Sequence, residues 1–364
     1  DHCVTGVQTC ALPISYTPYF KAYQQSSALE IQNIQDMDFG KGRQYVTDTY
    51  RAGTGTLRGR RPDLLPSLAV GDTIRLDIGV NGSSTGSVFY RLSNLQVTYG
   101  IIASMDTWSM QLEDAFAVLG RAAVTTSWSA GTVASSAFTT TCLAAGVTTS
   151  GSADVHTVSA QSFTNANSLQ ISQSIIDTAQ AYVTANSTNL AWYPSSWPYS
   201  ASTINFADYV SAGFIQYDNL TFGSLIDNYA TKVVVSATGL ADSTSGTGNL
   251  SYSLDTYASS TSDATAIAQF VAGNLAANTA SPLQISCTIK EQANTNMFAP
   301  LNAPYLVTVS FRGTTYSCYV LGFQMSGTPQ DIRGTYYLAS ASFLSQFILN
   351  SSTNGVLNTN KLGF

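Results

Sequence analysis

Residues 74–80 alternate between apolar and polar or glycine residues, and this alternation constrains the fold of the N-terminal third. Every second residue is apolar in Ile74, Leu76, Ile78 and Val80. Successive side chains of a strand point to opposite faces, so the pattern predicts a strand with one buried face. The turn-forming segment 81–86, NGSSTG, follows it. A second alternating run through Val88, Tyr90 and Leu92 completes a predicted hairpin.

Similar patterns define a first β-rich domain over residues 16–123. Trp108, Met110 and Leu112 alternate as in a further strand. From Glu113 the pattern changes to a short helix with Phe116 and Leu119 on one side. Basic residues are concentrated in this domain, because nine of the fifteen Lys and Arg residues lie between Lys21 and Arg91.

The middle of the chain, residues 124–226, carries no Lys or Arg, and the basic-free stretch runs from 122 to 231. Residues 125–152 are almost wholly Ser, Thr, Ala and Gly, which predicts a linker or a loosely ordered insertion. A small α+β domain follows. Its helix is predicted to begin at Asn167 or Ser168 and to continue through Tyr182 and Val183. Candidate strands are Leu190–Tyr199 and the segment around Phe214, Ile215 and Tyr217.

A third block, residues 227–345, is again rich in strands and contains one helix. The helix is capped by Thr261 or Ser262, and its apolar stripe is Ile267, Phe270, Val271 and Leu275. The expected strands include 232–237, 283–289, 305–311, 316–323 and 334–341, with a tight turn at Arg312 and Gly313. Residues 346–364 form a polar C-terminal tail. The fold class predicted from these patterns is mainly β (α+β) and multi-domain.

Composition excludes several classes of protein. Only 10% of the residues are charged, whereas an ordinary soluble domain carries roughly 25%. The apolar content of 44%, with 20 Tyr and 16 Phe, is sufficient for packed cores and argues against disorder. The net charge of −6 argues against a generally basic nucleic-acid binder. The sequence contains no run of about 18 apolar residues, which a membrane-spanning helix would require.

The first fifteen residues do not resemble the rest of the chain. Residues 4–14, VTGVQTCALPI, match the in-frame translation of a common sequencing-adapter oligonucleotide, so we interpret residues 1–15 as an adapter-derived artefact. This interpretation removes Cys3 and Cys10 from consideration. The remaining cysteines, Cys142, Cys287 and Cys318, form no disulfide framework, although Cys287 and Cys318 could pair.

Four stretches resemble the minor tail or tail-hub (baseplate hub-like) proteins of long-tailed bacteriophages. The first, Phe39–Arg60, is FGKGRQYVTDTYRAGTGTLRGR and contains an Ala-Gly-Thr motif. The second is SMQLEDAFAVLGRA, residues 109–122. The third is a strand, helix and strand unit at residues 252–289, and the fourth is the ending FILNSSTNGVLNTNKLGF. Residues 125–152 have no counterpart in this pattern.

The resemblance implies two β-barrel-like domains, residues 16–123 and 227–345, flanking the middle α+β domain. It implies a virion protein, assembled in the host cytoplasm, that forms a homotrimeric ring at the distal end of the tail. Two barrels per subunit would let a trimer present six similar units to a sixfold tube. The implied partners are further copies of the chain and the distal tail, tail tube and tape-measure proteins, with DNA only in transit.

Five basic residues are candidates for a channel or interface cluster: Lys41, Arg43, Arg58, Arg60 and Arg61. They could line a path for DNA or face an acidic partner. The alternative is a solvated strand face and loop, which we favour because no aromatic residues are interleaved with them. Strand alternation places Arg58 and Arg60 on the same face.

Four aromatic residues are candidates for glycan contact: Trp192, Tyr193, Trp197 and Tyr199. They lie in AWYPSSWPYS, residues 191–200, and aromatic platforms are a usual means of holding sugars. The alternative, which we favour, is that the two prolines and four aromatics form a self-packed loop over a small core.

The sequence nominates no catalytic, cofactor or metal site. Its three Glu residues (Glu30, Glu113 and Glu291) are scattered, and His156 is expected in an exposed loop. Glu113 and Asp114 are adjacent, so in a strand they would point to opposite faces. The predicted function is therefore that of a structural tail protein and not an enzyme. The alternatives are a receptor-binding or adhesin module that recognises a host-surface glycan, and a tail-associated cell-wall hydrolase.

Overall fold

The computed structural model describes residues 17–45, 47–195, 201–209, 213–222, 230–277, 281–288 and 306–341. Over these residues the protein is mainly β, with four α-helices and several sheets. The mainly β class predicted from the sequence is therefore confirmed. Residues 1–15 and the tail 346–364 lie outside the described residues.

The first sheet comprises seven strands from the N-terminal third of the chain. They are β1 (Pro18–Gln24), β2 (Leu29–Ile31), β3 (Ile34–Gly42), β4 (Thr54–Arg60), β5 (Thr73–Val80), β6 (Ser83–Thr98) and β7 (Thr107–Glu113). Their order in space is β3-β4-β7-β6-β5-β1-β2, and all neighbours are antiparallel. Trp108, Met110 and Leu112 face the core, as their alternation predicts.

The first sheet curls so that its two end strands approach each other. Although β2 and β3 occupy opposite ends of the strand order, only Gln32 and Asn33 separate them in the chain. Asn33 has a φ of 57°, in the left-handed region that Asn tolerates, so the chain can leave one ladder and enter another. Inside the curl the rings of Phe20 and Phe39 lie 6.1 Å apart, although four strands separate β1 from β3.

The second sheet comprises seven strands from the C-terminal part. They are β15 (Ala201–Ala207), β16 (Phe214–Gln216), β17 (Asn219–Phe222), β21 (Pro282–Thr288), β22 (Leu306–Phe311), β23 (Thr314–Thr328) and β24 (Asp331–Ser340). Their order is β16-β15-β22-β23-β24-β21-β17. Here too the end strands are neighbours in the chain, separated by Tyr217 and Asp218. The rings of Phe222 and Phe311 lie 5.3 Å apart across the curl.

The two sheets follow the same plan. We count β2–β3 and β16–β17 each as one interrupted strand, so that each sheet has six strands in chain order. The strands β1, β2–β3, β4, β5, β6 and β7 then occupy the same positions in the first sheet as β15, β16–β17, β21, β22, β23 and β24 occupy in the second. In both sheets the fourth and fifth strands are joined by two residues at positive φ, Asn81–Gly82 and Arg312–Gly313. Such two-residue turns match the twist of a hairpin, and strand pairing resumes directly after the turn, with Val80 opposite Ser83. The six-residue turn predicted at 81–86 is therefore wrong. One strand differs, because β15 is parallel to its neighbours whereas β1 is antiparallel.

Strand β23 joins the two sheets into one of fourteen strands. Its first part pairs with β22 and its last part, Gly322–Gly327, pairs on the same edge with β3. One hydrophobic core consequently runs through both sheets, and Phe39 meets Phe323 with ring centroids 6.4 Å apart. In the described residues no backbone ladder closes either sheet into a barrel.

A compact α+β unit lies between the two sheets in the chain. Its elements are α1 (Ala115–Arg121), β8 (Ala123–Trp128), β9 (Thr132–Val133), α2 (Ala134–Ala144), β10 (Thr148–Gly151), β11 (Thr157–Val158), β12 (Gln161–Asn167), α3 (Ser168–Ala179), β13 (Tyr182–Ala185) and β14 (Asn189–Tyr193). Residues 125–152 are thus ordered, and the prediction of a loose insertion is wrong. Their small side chains pack closely, and Phe138 and Cys142 of α2 are fully buried.

A second small unit interrupts the second sheet between β17 and β21. It comprises β18 (Lys232–Ala237), β19 (Ser243–Gly246), β20 (Ser251–Thr256) and α4 (Thr261–Ala277). The strand at 232–237 and the presence of the helix are confirmed. The predicted cap is wrong, because Thr261 is the first residue of α4 and the hydroxyl of Ser260 accepts the N–H of Asp263 at 3.1 Å. The stripe of α4 packs on β18, with Phe270 at its partly exposed margin.

Three local features differ from the sequence pattern. Helix α3 ends at Ala179, because Gln180 adopts a left-handed conformation, and Tyr182 and Val183 enter strand β13 instead. Strands β15–β17 lie in the second sheet and not in the middle unit. Cys287 and Cys318 are free and buried, so the considered disulfide is absent.

Candidate assembly surface

The five basic candidates are divided between the interior and the surface. Lys41 lies at the end of β3, where the ladder meets Thr54 at the start of β4. Arg58 and Arg60 lie at the other end of β4, roughly 13 Å or more away at 3.3 Å per residue. Arg58 and Arg60 share an exposed face. The structure therefore does not bring the five residues together in one exposed cluster.

Lys41 is a buried bridge between the first sheet and the middle unit. Its ammonium group donates hydrogen bonds to the carbonyl oxygens of Phe89 at 2.8 Å and Ala185 at 2.7 Å. It also lies over the ring of Tyr90, 4.4 Å from the centroid. Burial lowers the pKa of Lys41 to about 8, and the nearby Asp114 carboxylate acts in the opposite direction. A side chain in this position cannot line a solvent channel, so its assignment to an exposed cluster is corrected.

Asp114 is the buried acidic group beside Lys41, and it begins helix α1. One carboxylate oxygen accepts a hydrogen bond from the backbone N–H of Phe116 at 3.0 Å, which is an N-cap contact. Burial raises the pKa of Asp114 to about 7, against the effect of Lys41. A Cβ at Gly53 would lie 2.5 Å from Asp114 Oδ2 and 2.8 Å from Lys41 Cγ. The glycine of the Ala-Gly-Thr motif is thus required by the packing of this charged pair.

Arg43 lies at a second buried junction, between the middle unit and the inserted unit. Its guanidinium carbon is 4.6 Å from the centroid of the Tyr50 ring. Tyr252 and the carboxylate of Asp177 line the same narrow cavity of about 40 Å³. Burial raises the pKa of Asp177 to about 7, while a hydrogen bond from Gln173 and the charge of Arg43 act in the opposite direction. Arg43 therefore makes contacts between units, and its prediction as a channel residue is wrong.

The three remaining arginines are at the surface, and two of them are paired locally. Arg58 approaches Asp36 at 3.4 Å, with both side chains more than half exposed. Arg61 contacts both carboxylate oxygens of Asp63, at 2.9 and 2.8 Å. Such exposed pairs contribute little to stability. Together with exposed Arg60, they form a basic surface smaller than the sequence suggested.

The aromatic segment places its first tryptophan in the core. Trp192 is buried, packs 4.9 Å from Phe138 between ring centroids, and donates its indole N–H to Asp154 Oδ2 at 3.1 Å. Trp192 is therefore not available to a glycan, and this candidate is corrected. Tyr193 is half-buried, with its ring centroid 6.5 Å from that of Tyr182. Trp197 and Tyr199 lie outside the described residues.

The histidine and carboxylate groups considered for catalysis, His156, Glu113 and Asp114, take part in local structure. His156 is half-exposed, and its Nδ1 lies 2.7 Å from Asp154 Oδ1, which also accepts two backbone N–H bonds. Glu113 pairs with Arg121 at 2.8 Å, whereas its neighbour Asp114 caps α1, so the two carboxylates have separate partners. Within the described ranges, no group of three or more His, Cys, Asp or Glu residues is arranged to hold a metal ion.

The sequence patterns missed the most exposed apolar surface, which lies in the loop between β6 and β7. We name residues 99–106 the apolar loop. Its large side chains are mostly in solvent, with exposed fractions of 77%, 97%, 56% and 60% for Tyr99, Ile101, Ile102 and Met105. A contiguous exposed apolar surface of this kind is typical of an interaction site. The signal was present as the apolar run YGII between two strands, where turn residues are expected.

The strand that leads into the apolar loop has a free edge. From Asn94 to Thr98, β6 pairs with β7 on one side. On its other side β5 pairs only as far as Arg91, and the backbone of Leu92 bonds to Gly71 and Asp72. Beyond that point no strand among the described residues covers the edge. Exposed backbone groups of this kind can accept an added strand.

No family model matches the sequence, and no curated protein matches it. Similarity appears among solved structures. The tail protein from Neisseria meningitidis MC58 superposes with a TM-score of 0.62 at 9% identity, covering 90% of this chain and 98% of the neighbour. The 43 kDa tail protein of prophage MuSo2 from Shewanella oneidensis gives 0.60 at 12% identity, covering 90% and 99%.

A third neighbour, prophage tail protein gp18 from Listeria monocytogenes EGD-e, gives a TM-score of 0.50 at 9% identity and covers 90% of this chain and 96% of its own. The protein thus shares its fold with these three tail proteins over nearly the whole length of each chain. No helix in the described part of the chain is long and apolar enough to cross a membrane.

Proposed function

We propose that this protein is a structural component of the phage tail tip, a tail-hub or minor tail protein that assembles as a homotrimeric ring at the distal end of the tail. The observation that carries the proposal is the repeated plan of the two sheets. Each has six strand positions in the same order, and each is bent until its end strands are separated by only two residues. We interpret each curled sheet as a barrel-like unit.

The repeated plan fits the symmetry of a tail. Two similar units per chain give three copies six similar units, which can match a sixfold tube. The two units are joined side by side through β3 and β23, as neighbouring positions in a ring would be. The likeness to three tail proteins, two of them from prophages, supports the same role, because it extends over 90% of this chain.

The proposed partners are further copies of the chain and the distal tail, tail tube and tape-measure proteins, in a virion assembled in the host cytoplasm. The proposal assigns the protein no catalysis. It assigns DNA contact only in transit. Any such contact would involve Arg58, Arg60 and Arg61, since Lys41 and Arg43 serve buried junctions.

The adhesin alternative receives less support. Its leading aromatic residue, Trp192, is buried and hydrogen-bonded within the core of the middle unit. A receptor site there would require this side chain to leave its place beside Phe138.

The test is the mass and shape of the purified full chain, measured by light scattering and electron microscopy. We expect three copies in a ring with a central opening. A species that remains monomeric at high protein concentration would overturn the proposal, and micromolar sugar binding by that monomer would favour the adhesin. Release of soluble fragments from cell walls, abolished by one Asp or Glu substitution, would instead identify a hydrolase.

A further inference from the structure

We infer that the free edge of β6, together with the apolar loop, is the docking surface for β17 of a second copy of this chain. The inference rests on the proposed ring and names the surfaces that would form it. We use the word joint for the pairing of β3 with β23, which connects the two sheets within the chain. The inference compares this joint with the corresponding edges of β6 and β17, which have no partner strand among the described residues.

The joint within the chain shows how the edge of β23 is covered after its pairing with β22 ends. Both β6 and β23 are long strands that follow a two-residue turn, and both contain an irregularity where they change partners, at Leu92/Asn94 and Val320/Gly322. Beyond that point the edge of β23 is covered by β3. The same edge of β6 has no strand beside it in the described residues. The chain therefore fills this position in the second sheet and leaves it open in the first.

The complementary element is β17. In the first sheet β3 pairs with β4 on one edge and with β23 on the other. In the second sheet β17 takes the place of β3 and pairs with β21, which takes the place of β4. The other edge of β17 has no partner among the described strands. Each copy thus has one complete joint, between β3 and β23, and the two separate edges of a second joint, on β6 and β17. When the edge of β6 in one copy pairs with β17 of the next, the contact is head-to-tail, and such contacts form a ring if the rotation between copies closes.

The chemistry of the surface suits a permanent contact between copies. Strand addition supplies main-chain hydrogen bonds, and adjacent apolar side chains add burial. The fourteen residues 92–105 include no charged side chain, and the one charged residue of the apolar loop, Asp106, accepts the backbone N–H of Gly100 within the loop at 2.8 Å. In the second sheet the corresponding connection, between β23 and β24, consists only of Pro329 and Gln330. The extra apolar residues therefore occur beside the unfilled edge and not beside the filled one.

Cross-linking between copies tests the inference directly. In full-length protein with Cys3 and Cys10 changed to Ser, Thr98→Cys and Thr221→Cys are introduced singly and together. Both positions are exposed and point away from the core, whereas Cys142, Cys287 and Cys318 are buried. We expect a short bismaleimide to link chains of the double variant into dimers and trimers and to leave each single variant unlinked. Thr98→Cys combined with Leu143→Cys, on the exposed face of α2, is the non-linking control.

A second variant addresses the apolar loop. Ile101→Glu should reduce the assembled fraction at least tenfold without altering the melting temperature of the monomer, because Ile101 is 97% exposed. Leu143→Glu, at 58% exposure, is the matched control and should assemble normally.

The outcomes separate the two proposals. A trimer that fails to cross-link in the double variant and tolerates Ile101→Glu would keep the ring and overturn this surface. Cross-linking of the Thr98→Cys variant to itself would also overturn it, because that result requires a symmetric contact between two β6 edges. A strictly monomeric wild-type protein would overturn the ring itself.

Discussion

At the scale of single residues, the glycine of the Ala-Gly-Thr motif provides a sharp test of packing. A methyl group at Gly53 would collide with Asp114 and Lys41, whereas a methyl group at Gly273, in helix α4, would meet no atom within 4 Å. We expect Gly53→Ala to lower the free energy of unfolding by about 2–3 kcal/mol. Gly273→Ala should raise it by up to about 1 kcal/mol, because alanine favours a helix. Urea denaturation of both variants measures the two changes. Equal effects of the two substitutions would contradict this account.

The carboxyl group of Asp177 predicts a dependence of stability on pH. Its pKa is raised to about 7 by burial, so the folded protein holds this proton more tightly than the unfolded chain. This contribution to stability is complete below about pH 4 and is lost as the pH rises to about 7. Asp177→Asn cannot titrate, and it should therefore gain stability relative to wild type over that range, by at most about 4 kcal/mol. Denaturation curves between pH 4 and 8 measure the difference. A difference that stays constant with pH would refute the assignment.

The buried charges also show why single residues were hard to place from the sequence. Alternation with Met37 and Phe39 places Lys41 on the buried face of β3, but its charge argued for a place in solvent, and Arg43 follows the end of the strand at Gly42. Their burial depends on carbonyl and aromatic groups that are distant in the chain, such as Ala185 at 144 positions from Lys41. In contrast, the shared exposed face of Arg58 and Arg60 follows from local alternation and was predictable.

At the scale of elements, the start of α3 depends on one side chain. Asn167 Oδ1 accepts hydrogen bonds from the backbone N–H groups of Leu169 and Gln170, at 3.0 and 3.1 Å, and its Nδ2 donates to the Gly120 carbonyl at 3.0 Å. Asn167→Ala should lower the free energy of unfolding by about 1–2 kcal/mol. Asn167→Asp keeps the cap and loses only the bond to Gly120, so its cost should be smaller. Thermal and urea denaturation compare the two, and an alanine variant as stable as the aspartate variant would count against the cap.

Helix α2 shows where element prediction failed and why. Its buried residues recur at helical spacing in Ala134, Ala137, Phe138, Thr141 and Cys142. The pattern was therefore present, but it is carried mainly by small residues among Ser and Thr, which are weak helix formers in isolation. Packing against α3 supplies the stability that local propensity does not. Helix α4 has a stripe of larger residues, and both the helix and its stripe follow from the sequence pattern, with the start displaced by one residue.

At the scale of the whole molecule, the sequence predicted strands but not how the two sheets correspond. The correspondence lies in strand order, in two two-residue links and in two hairpin turns, which are spread over residues 18–340. The unit inserted between β17 and β21 further separates the equivalent parts of the chain. Because β23 pairs with β3 across almost 300 residues, the continuous sheet could only be recognised in three dimensions.

The low charge of the proposed contact surface predicts that assembly is nearly independent of salt. Residues 92–105 carry no charge, and Asp106, the one charged residue of the apolar loop, is hydrogen-bonded to Gly100 of the same loop. Strand addition relies on backbone hydrogen bonds, so ionic screening has little to weaken. Between about 50 and 500 mM NaCl we expect the dissociation constant of the assembly, measured by analytical ultracentrifugation, to change by less than about threefold. Arg60→Glu, on the exposed basic face, should assemble like wild type at both salt concentrations. Dissociation by more than about tenfold at high salt, reproduced by Arg60→Glu at low salt, would instead assign the contact to Arg58, Arg60 and Arg61.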